Sequence, residues 1–291
     1  MENVKKKSWS FDKVYKLFIY VALITLAISI IVPVAWVFLA SIKQNSEFYG
    51  NPWSLPLGFY FQNFMDAFEK ANMGAYLLNS IITTLLALVI LLVVSLPASY
   101  VLARFKFKGR RFIKTAFMAG LFINVNYIVV PIFLILLETE RMLNIDFLLN
   151  NHIMLAIVYA ATAIPFTVYL LSSYFVTLPK AYEEAALIDG CGYFKTMWKV
   201  MIPMAKPSIV TVILFNFLAF WNEYIIALTL MSGDNRTLPV GLLSLMQASR
   251  GKAEYGMMYA GLVLVMLPTL VLYIMVQKKL TQGMTIGGLK D

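Results

Sequence analysis

LPKAYEEAALIDGCGYFKTMWKVMIP, residues 178–203, is the longest polar-bearing segment between two strongly apolar ones in the second half of the chain. Its pattern predicts two short helices joined at glycines. Pro179 suits a first helical turn, and Gly190 suits a left-handed helix end. The second helix is predicted over about residues 193–202 and ends at Pro203, because proline breaks helices. A short helix pair between two membrane spans is typical of a segment that projects toward a partner.

The composition of the chain is that of an integral membrane protein. Of its 291 residues, 60% are hydrophobic and 13% charged. Soluble domains are about half apolar and about a quarter charged. The net charge of +9 is explained by Lys and Arg beside membrane spans, and no aromatic–basic interleaving indicates nucleic-acid binding. The single Cys191 and single His152 provide neither an intrachain disulfide nor an ordinary metal site.

Six segments are apolar and long enough to cross a bilayer as helices, which takes about 20 residues each. Basic residues place both termini in the cytoplasm, because the predicted inside segments hold 18 of the 24 Lys and Arg residues. This orientation also makes residues 177–207 cytoplasmic. The predicted spans are 17–42, 76–101, 115–137, 152–176, 208–230 and 257–276.

This topology divides the chain into tails, loops and spans. The apolar run of the first span is too long for a signal peptide, so we expect it to be retained. The extracellular loops either contact an extracellular partner or only connect spans. The divisions are a cytoplasmic tail (1–16), the first span (17–42), an extracellular loop (43–75), a core of five spans (76–278) that contains the cytoplasmic loop 177–207, and a cytoplasmic tail (279–291).

Several polar residues fall inside predicted spans. Glu223 is the one acid among them, and an acid at the bilayer centre costs about 2.5–3.5 kcal/mol. Amides and aromatic rings suit a sugar pathway, because amides bond to hydroxyls and aromatic faces stack on sugar rings. Hydrogen bonding between helices, or a lipid-interface position for Glu223, explains the same residues. The candidate pathway residues are Asn79, Asn124, Asn126, Asn216, Trp221, Asn222 and Glu223.

The sequence lacks the motifs of catalysis. It contains no Gly-x-x-x-x-Gly-Lys-Ser/Thr phosphate loop and no Arg-rich voltage-sensing helix. No Ser/His/Asp or paired-acid arrangement occurs within the predicted spans. We therefore expect neither an enzyme nor a chain that pumps by itself with nucleotide energy.

The opening stretch resembles the EAA signature of ABC-importer permeases. That signature consists of Glu-Ala-Ala, three residues, Gly, nine residues and Ile-x-Leu-Pro. Here Glu184-Ala-Ala186 precedes Gly190 and Val200-x-Ile-Pro203 at the same spacing. Cys191-Gly192 depart from the Ala-Ser that is usual in the family.

Other segments resemble the carbohydrate-importer branch of this family, in particular its maltose-permease-type second subunit. The tail resembles that subunit's tail but ends in Gly288-Leu-Lys-Asp291 instead of Ala-Val-Lys-Gly. The matching segments are Asn79-Ser80, residues 98–104, Trp221-Asn222, residues 264–268 and residues 283–290.

The resemblance implies a six-span, all-α type I ABC-importer permease, with both termini inside, in the cytoplasmic (inner) membrane. Its implied partners are a homologous second permease subunit, two ATPase subunits and an extracellular binding protein that delivers a sugar or oligosaccharide. ATP and magnesium would bind to the ATPases, so no cofactor is expected in this chain. The opening stretch would be the coupling helix, which docks into one ATPase. The implied coupling positions are Glu184, Ala185, Ala186, Asp189, Gly190 and Pro203.

Other functions remain open from the sequence. An importer of glycerol phosphate or another polyol belongs to the same family, although no Lys or Arg lies within a predicted span to bind phosphate. An ion-coupled secondary transporter that uses Glu223 is a different class, and the missing pairs of broken helices count against it. A membrane scaffold protein would leave solute uptake intact when lost.

Overall fold

The computed structural model describes residues 2–252 and 254–288, with side chains described for residues 13–247 and 254–277. Every regular element in this part of the chain is helical, so the predicted all-α fold is confirmed. The helices, numbered in chain order, are α1 (Glu2–Ser41), α2 (Ser46–Gly50), α3 (Gln62–Glu69), α4 (Met73–Arg104), α5 (Arg110–Gly120), α6 (Val125–Leu143), α7 (His152–Thr177), α8 (Ala181–Ile188), α9 (Tyr193–Thr196), α10 (Ile202–Met204), α11 (Lys206–Trp221), α12 (Ile225–Leu230), α13 (Leu238–Lys252) and α14 (Tyr255–Gly288).

Two short turns complete the described elements. A π-helical turn, Met197–Met201, joins α9 to α10, and a 3-10 turn, Gly233–Asn235, precedes α13. The predicted cytoplasmic tail is helical in its backbone as far as Gly288. Its last residues, 289–291, lie outside the described residues, as do the side chains of the segment that resembles the family's tail.

Four helices are long and apolar enough to cross a membrane: α1 from Lys13, α4, α7 and α14 as far as Gln277. Two bent helix pairs bring the total to as many as six when each pair counts as one span, but the second pair includes Tyr193–Met204, which the sequence predicts to be cytoplasmic, and so differs from the predicted fifth span, 208–230. In one pair α5 meets α6 at 102°, and in the other the stretch Tyr193–Met204 meets α11 at 74°.

The predicted third span, 115–137, is wrong as a continuous helix. It is interrupted at residues 121–124 between α5 and α6. Asn124 takes an extended conformation there, and its side-chain oxygen accepts a hydrogen bond from the backbone N–H of Asn126 at 3.0 Å. This contact satisfies an N–H group that the start of α6 leaves without a helical partner.

The predicted fifth span, 208–230, is also interrupted. α11 ends at Trp221 and α12 begins three residues after Asn222. The carboxylate of Glu223 accepts hydrogen bonds from the backbone N–H groups of Ile226 at 2.7 Å and Ala227 at 3.1 Å. The acid therefore caps α12, and its side chain replaces the helical backbone bonds lost at the break.

The chain forms two compact units, which are described separately. One comprises Met1–Lys70 and Leu245–Leu264, and the other comprises Ala71–Ser244 and Val265–Asp291. In the second unit, α4 and α7 form the most extensive helix pair, and α11 packs on both. These three helices are the scaffold on which the candidate site is built.

The first unit contains a buried cation. Lys43 is fully buried, and its Nζ lies 4.9 Å from the ring centre of Trp36 and 5.4 Å from that of Phe48. The same Nζ donates to the carbonyl of Pro52 at 3.0 Å and to the hydroxyl of Ser54 at 3.3 Å. These contacts replace the water that an ammonium group loses on burial.

Two apolar clusters form the core of the second unit. The first includes Leu91, Leu155 and Tyr159, and the second includes Tyr100 and Phe175. Lipid tails are as apolar as these side chains, so close packing between helices contributes more to their association than removal from water.

Five prolines lie inside the long helices. A proline inside a membrane helix removes one backbone hydrogen bond and commonly bends the helix. These residues are Pro33, Pro97, Pro131, Pro165 and Pro268.

Gly241 provides a test of the helix packing in the second unit. A methyl group at Gly241 would collide with the ring of Tyr76. We expect Gly241→Ala to lower the stability of the purified protein by about 1–3 kcal/mol, the usual cost of overpacking. Thermal unfolding in detergent measures the change. Gly58→Ala is the control, since nothing lies near its added methyl group, and an equal loss in both variants would contradict the assignment.

Candidate functional site

The segment 178–207, which the sequence predicts to be cytoplasmic, contains a helix whose end is fixed by backbone geometry. Gly190, two residues after α8, has a φ of +74°, which favours glycine. The N–H of Cys191 donates to the carbonyl of Ala186 at 2.8 Å, and the N–H of Gly190 donates to that of Leu187 at 3.0 Å. These bonds define a Schellman motif, so the predicted left-handed cap is confirmed and Cys191 completes the turn.

Two proline predictions for this segment are wrong. Pro179 lies before the first helical turn, because α8 begins at Ala181. Pro203 lies inside the helical stretch, which continues for one further residue. The N–H of Ile202 donates to the carbonyl of Met197, five residues earlier, which is the π-helical spacing. The regular α-helical hydrogen bonds are therefore already interrupted before Pro203, which has no N–H to donate.

Most of the implied coupling residues are exposed. Glu184, Ala185, Asp189 and Gly190 are accessible, whereas Ala186 is buried with 4% of its surface exposed. Ala186 therefore holds α8 against the rest of its unit while its neighbours on the sequence face outward. Pro203 is also exposed.

Large apolar side chains are exposed in the same segment as the acids. Ile188 is 87% exposed, Phe194 74% and Tyr193 71%. An open groove of about 650 Å³ runs along Gly192–Lys195, Trp198 and Lys199. Exposed apolar side chains beside charged ones, on a segment predicted to be cytoplasmic, are typical of a protein–protein contact.

Glu183 differs from Glu184 and was not predicted from the sequence. Its carboxylate accepts a hydrogen bond from the hydroxyl of Tyr100 at 2.8 Å and pairs with the guanidinium of Arg104 at 3.0 Å. Adjacent residues on a helix point in different directions, so two consecutive acids cannot serve the same contact. One sign of this difference was present in the sequence, namely that Glu183 and Glu184 are adjacent acids.

Glu223 lies in the break between α11 and α12. Besides its two backbone bonds, it accepts a hydrogen bond from the hydroxyl of Tyr159 at 2.7 Å. Tyr159 is 1% exposed and stacks on Phe220 at 5.5 Å. The acid therefore joins α7 to the start of α12, and its role in a solute pathway stays a prediction.

The other candidates near this break divide by exposure. Asn216 is 3% exposed, and its amide donates to the hydroxyl of Thr167 at 3.1 Å. Trp221 is 2% exposed, and its indole donates to the carbonyl of Val265 at 3.1 Å. Both side chains thus make contacts between helices. Asn222 is exposed, and its amide donates to the carbonyl of Leu218, one helical turn earlier, at 2.8 Å.

The remaining candidates lie at helix ends or loops. Asn79 donates to the carbonyls of Asp234 at 2.8 Å and Arg236 at 3.0 Å, and so ties α4 to the loop before α13. Asn124 and Asn126 are exposed at the break between α5 and α6. No single surface collects all the candidates, and the pathway assignment stays a prediction for each.

The first unit holds a polar cavity of about 370 Å³. Within it, a hydrogen bond from the side chain of Gln62 and the neighbouring ammonium of Lys70 hold the pKa of Asp66 below its usual value. The cavity is lined by Gln44, Asn45, Ser46, Tyr60, Asn63, Asp66, Lys70, Glu254 and Met257.

The helical membrane fold, with an exposed and capped helix between apolar spans, defines a subunit of a membrane transport system. The chain belongs to the family of binding-protein-dependent transport system inner membrane components, whose model matches residues 95–282. It is a multi-pass inner-membrane permease subunit of an ABC importer, and the predicted family is confirmed. It is not an enzyme, because ATP hydrolysis belongs to partner subunits. A scaffold role and ion-coupled transport through Glu223 do not fit this family.

Relatives match almost the whole chain. The diacetylchitobiose uptake system permease protein NgcG of Streptomyces coelicolor is 34% identical over 279 residues, which cover 96% of this chain and 90% of that protein. The trehalose/maltose transport system permease protein MalG of Thermococcus litoralis is 30% identical over 280 residues, which cover 94% and 97%.

A solved structure has the same fold. It is a chain from the crystal structure of a bacterial ABC transporter involved in the import of the acidic polysaccharide alginate. The TM-score is 0.77 at 24% identity, and the match covers 92% of this chain and 96% of that one. At this identity the similarity shows the fold alone.

Glu223 provides a test of the break in the fifth span. Glu223→Ala removes the partner of two backbone N–H groups and of the Tyr159 hydroxyl, so we expect a loss of about 1–3 kcal/mol in stability. Glu223→Gln keeps one accepting oxygen and should lose less. Thermal unfolding of the purified complex measures both, with Asn126→Ala as a control at an exposed side chain. Equal stability of Glu223→Ala and the unsubstituted protein would contradict a capping role.

Proposed function

We propose that this permease carries a sugar or oligosaccharide, pairs with a homologous second permease subunit and binds two ATPase subunits. An extracellular binding protein delivers the solute. The relatives named for diacetylchitobiose and for trehalose/maltose support the solute class, because they align over more than nine-tenths of this chain. ATP and magnesium bind to the ATPase subunits rather than to this chain.

The exposed surface of the 178–207 segment is the observation that carries the coupling role. α8 presents Glu184, Ala185 and Asp189 outward, and the Schellman motif at Gly190 fixes the direction in which the chain turns afterwards. The small side chain of Ala185 permits close approach of a partner, and Glu184 pairs with a basic group on the ATPase. Ala186, the buried residue of α8, holds this surface in place, and Pro203 is an exposed residue of the same coupling segment.

ATP drives transport through differential contacts with two states. Closure of the ATPase pair moves the coupling helices, and the permease changes from inward-facing to outward-facing. The nucleotide shifts this equilibrium only to the extent that it binds the two states differently. The permease therefore needs a firm contact at α8 and helices that move together.

The solute pathway is proposed to run past the two broken spans. Asn124, Asn126 and Asn222 are exposed at these breaks, and Glu223 and Asn79 are partly accessible. Asn216 and Trp221 support the pathway from behind through their contacts between helices. Amides suit the hydroxyl groups of a neutral sugar, in accordance with the proposed solute class.

The solute class is tested with the intact complex. The complex is purified with its ATPase and binding-protein partners, and ATP hydrolysis is measured with diacetylchitobiose, trehalose, maltose and glycerol 3-phosphate. We expect stimulation by at least one of the sugars and none by glycerol 3-phosphate. Stimulation by glycerol 3-phosphate alone would assign the permease to polyol phosphates instead.

The coupling role is tested by substitutions in α8 and its cap. Gly190→Asp places a further negative charge on the contact surface, at a left-handed φ that both aspartate and asparagine can adopt. Glu184→Lys reverses the charge offered to the ATPase. We expect both variants to abolish uptake while the protein stays in the membrane.

Gly190→Asn and Glu184→Gln are the matched controls, since asparagine tolerates the left-handed conformation and glutamine keeps the size of the acid. We expect both controls to retain part of the uptake. Full uptake by Gly190→Asp and Glu184→Lys, at equal expression, would sink the coupling role.

A further inference from the structure

We infer that Tyr100, Arg104 and Glu183 form a latch that joins α8 to the cytoplasmic end of α4 and passes the movement of α8 to α4. The inference rests on the proposed function, because the movement is that of a helix held by an ATPase. It assigns three positioning residues that do not contact the partner themselves.

The latch consists of two contacts to one carboxylate. Oε1 of Glu183 accepts a hydrogen bond from the Tyr100 hydroxyl at 2.8 Å, and Oε2 lies 3.0 Å from a guanidinium nitrogen of Arg104. The same guanidinium donates to the carbonyl of Pro179 at 3.4 Å. Two residues from the last turns of α4 thus hold both the start of α8 and the chain that leads into it.

The latch is shielded from water. The side chain of Arg104 is 8% exposed, that of Glu183 is 21% exposed, and Tyr100 is 3% exposed as a whole residue. Removing one partner of a shielded ion pair leaves the other charge without compensation, so loss of Arg104 or Glu183 alone costs more than loss of a partner from a surface pair does.

Few other contacts hold α8. It has eight residues, and Ala186 is its one buried residue in the described structure. Its exposed face is the surface proposed for the ATPase. A helix this short does not persist through its own backbone bonds, so its position depends on the contacts at its ends.

A second contact joins α4 to the helix after the glycine turn. Phe105, which follows α4, lies edge-on to Tyr193 of α9 at 5.7 Å and to Tyr100 at 5.6 Å. Tyr100 also packs edge-on against Phe175 of α7 at 5.6 Å. The cytoplasmic end of α4 therefore contacts both helices of the coupling segment and the span that precedes them.

The end of α4 is itself well defined. Arg110 donates to the carbonyls of Leu102 at 2.9 Å and Ala103 at 3.2 Å. These carbonyls lie in the last turn, where a helix leaves carbonyl groups without helical partners. A capped helix end is a rigid point of attachment, and α4 makes the most extensive contacts of the unit with α7.

The arrangement separates the tasks of two neighbouring acids. Glu184 is exposed toward the partner, while Glu183 is held within the permease. A displacement of α8 by the ATPase is then carried to α4 through Glu183, in addition to the covalent link through α7.

Arg104→Ala tests the latch in the complete complex in lipid nanodiscs and proteoliposomes. Amide hydrogen exchange is measured in α8, and the ratio of sugar transported to ATP hydrolysed is measured in parallel. We expect exchange in α8 to rise about tenfold or more, which corresponds to about 1.4 kcal/mol, and the transport ratio to fall. The amount of assembled complex should not change.

Three further variants define the interpretation. Arg104→Glu combined with Glu183→Arg restores an ion pair with reversed charges, so we expect it to recover part of the transport ratio. Arg111→Ala removes an exposed arginine nearby and should change neither measurement. Tyr100→Phe removes one hydrogen bond and replaces Arg104→Ala if that variant fails to assemble, with a smaller rise in exchange and a smaller fall in the ratio.

Unchanged exchange in α8 of the assembled variant overturns the latch. Increased exchange with an unchanged transport ratio also overturns the inference, because the contact would then only support the fold. If no sugar stimulates the unsubstituted complex, the proposed solute class fails, while the exchange measurement still decides whether the latch exists.

Discussion

Backbone hydrogen bonding in lipid is the constraint on which this structure depends. A membrane helix can stop only where protein groups or a water-filled cavity satisfy its freed N–H and C=O groups. Asn124 caps α6 after one break, and Glu223 caps α12 after the other. Irregular backbone at membrane depth is tolerated inside protein or beside a cavity, which is why two interrupted spans are reasonable borders for a solute path. The apolar clusters on α4, α7 and α11 keep the helices beside these breaks in register.

The segment 178–207, predicted to be cytoplasmic, is under a different constraint, because water can satisfy the backbone groups that it leaves exposed. α8 is short, mostly exposed and ends in a Schellman motif. It therefore offers most of its surface to a partner, but its own backbone hydrogen bonds are too few to hold it in place. Its position is set by an ion pair between Glu183 and Arg104 and by aromatic packing around Phe105. The permease therefore offers a partner a small contact whose orientation is determined by the end of a membrane span.

Local chemistry made part of this predictable from sequence. Hydropathy revealed the spans, and the requirement for a left-handed residue identified Gly190 as the end of α8. The interruption at residues 121–124 was hidden, because three apolar residues precede Asn124 and leave the hydropathy high. The contact between Tyr100 and Glu183 was equally hidden, because 83 residues separate them and no periodicity connects residues so far apart. Exposure of the pathway candidates also depends on tertiary packing, which no local pattern records.

Arg104 illustrates how one side chain can have two separate roles. As a basic residue at the inner end of a span, it contributes to the charge bias that orients the chain during insertion. As a planar guanidinium, it also reaches a carboxylate and a carbonyl simultaneously. Both contacts are made by the same nitrogen, Nη2. The charge bias requires only a base near the end of the span, whereas the contact requires that the base reach Glu183, so moving the base along α4 would separate the two requirements.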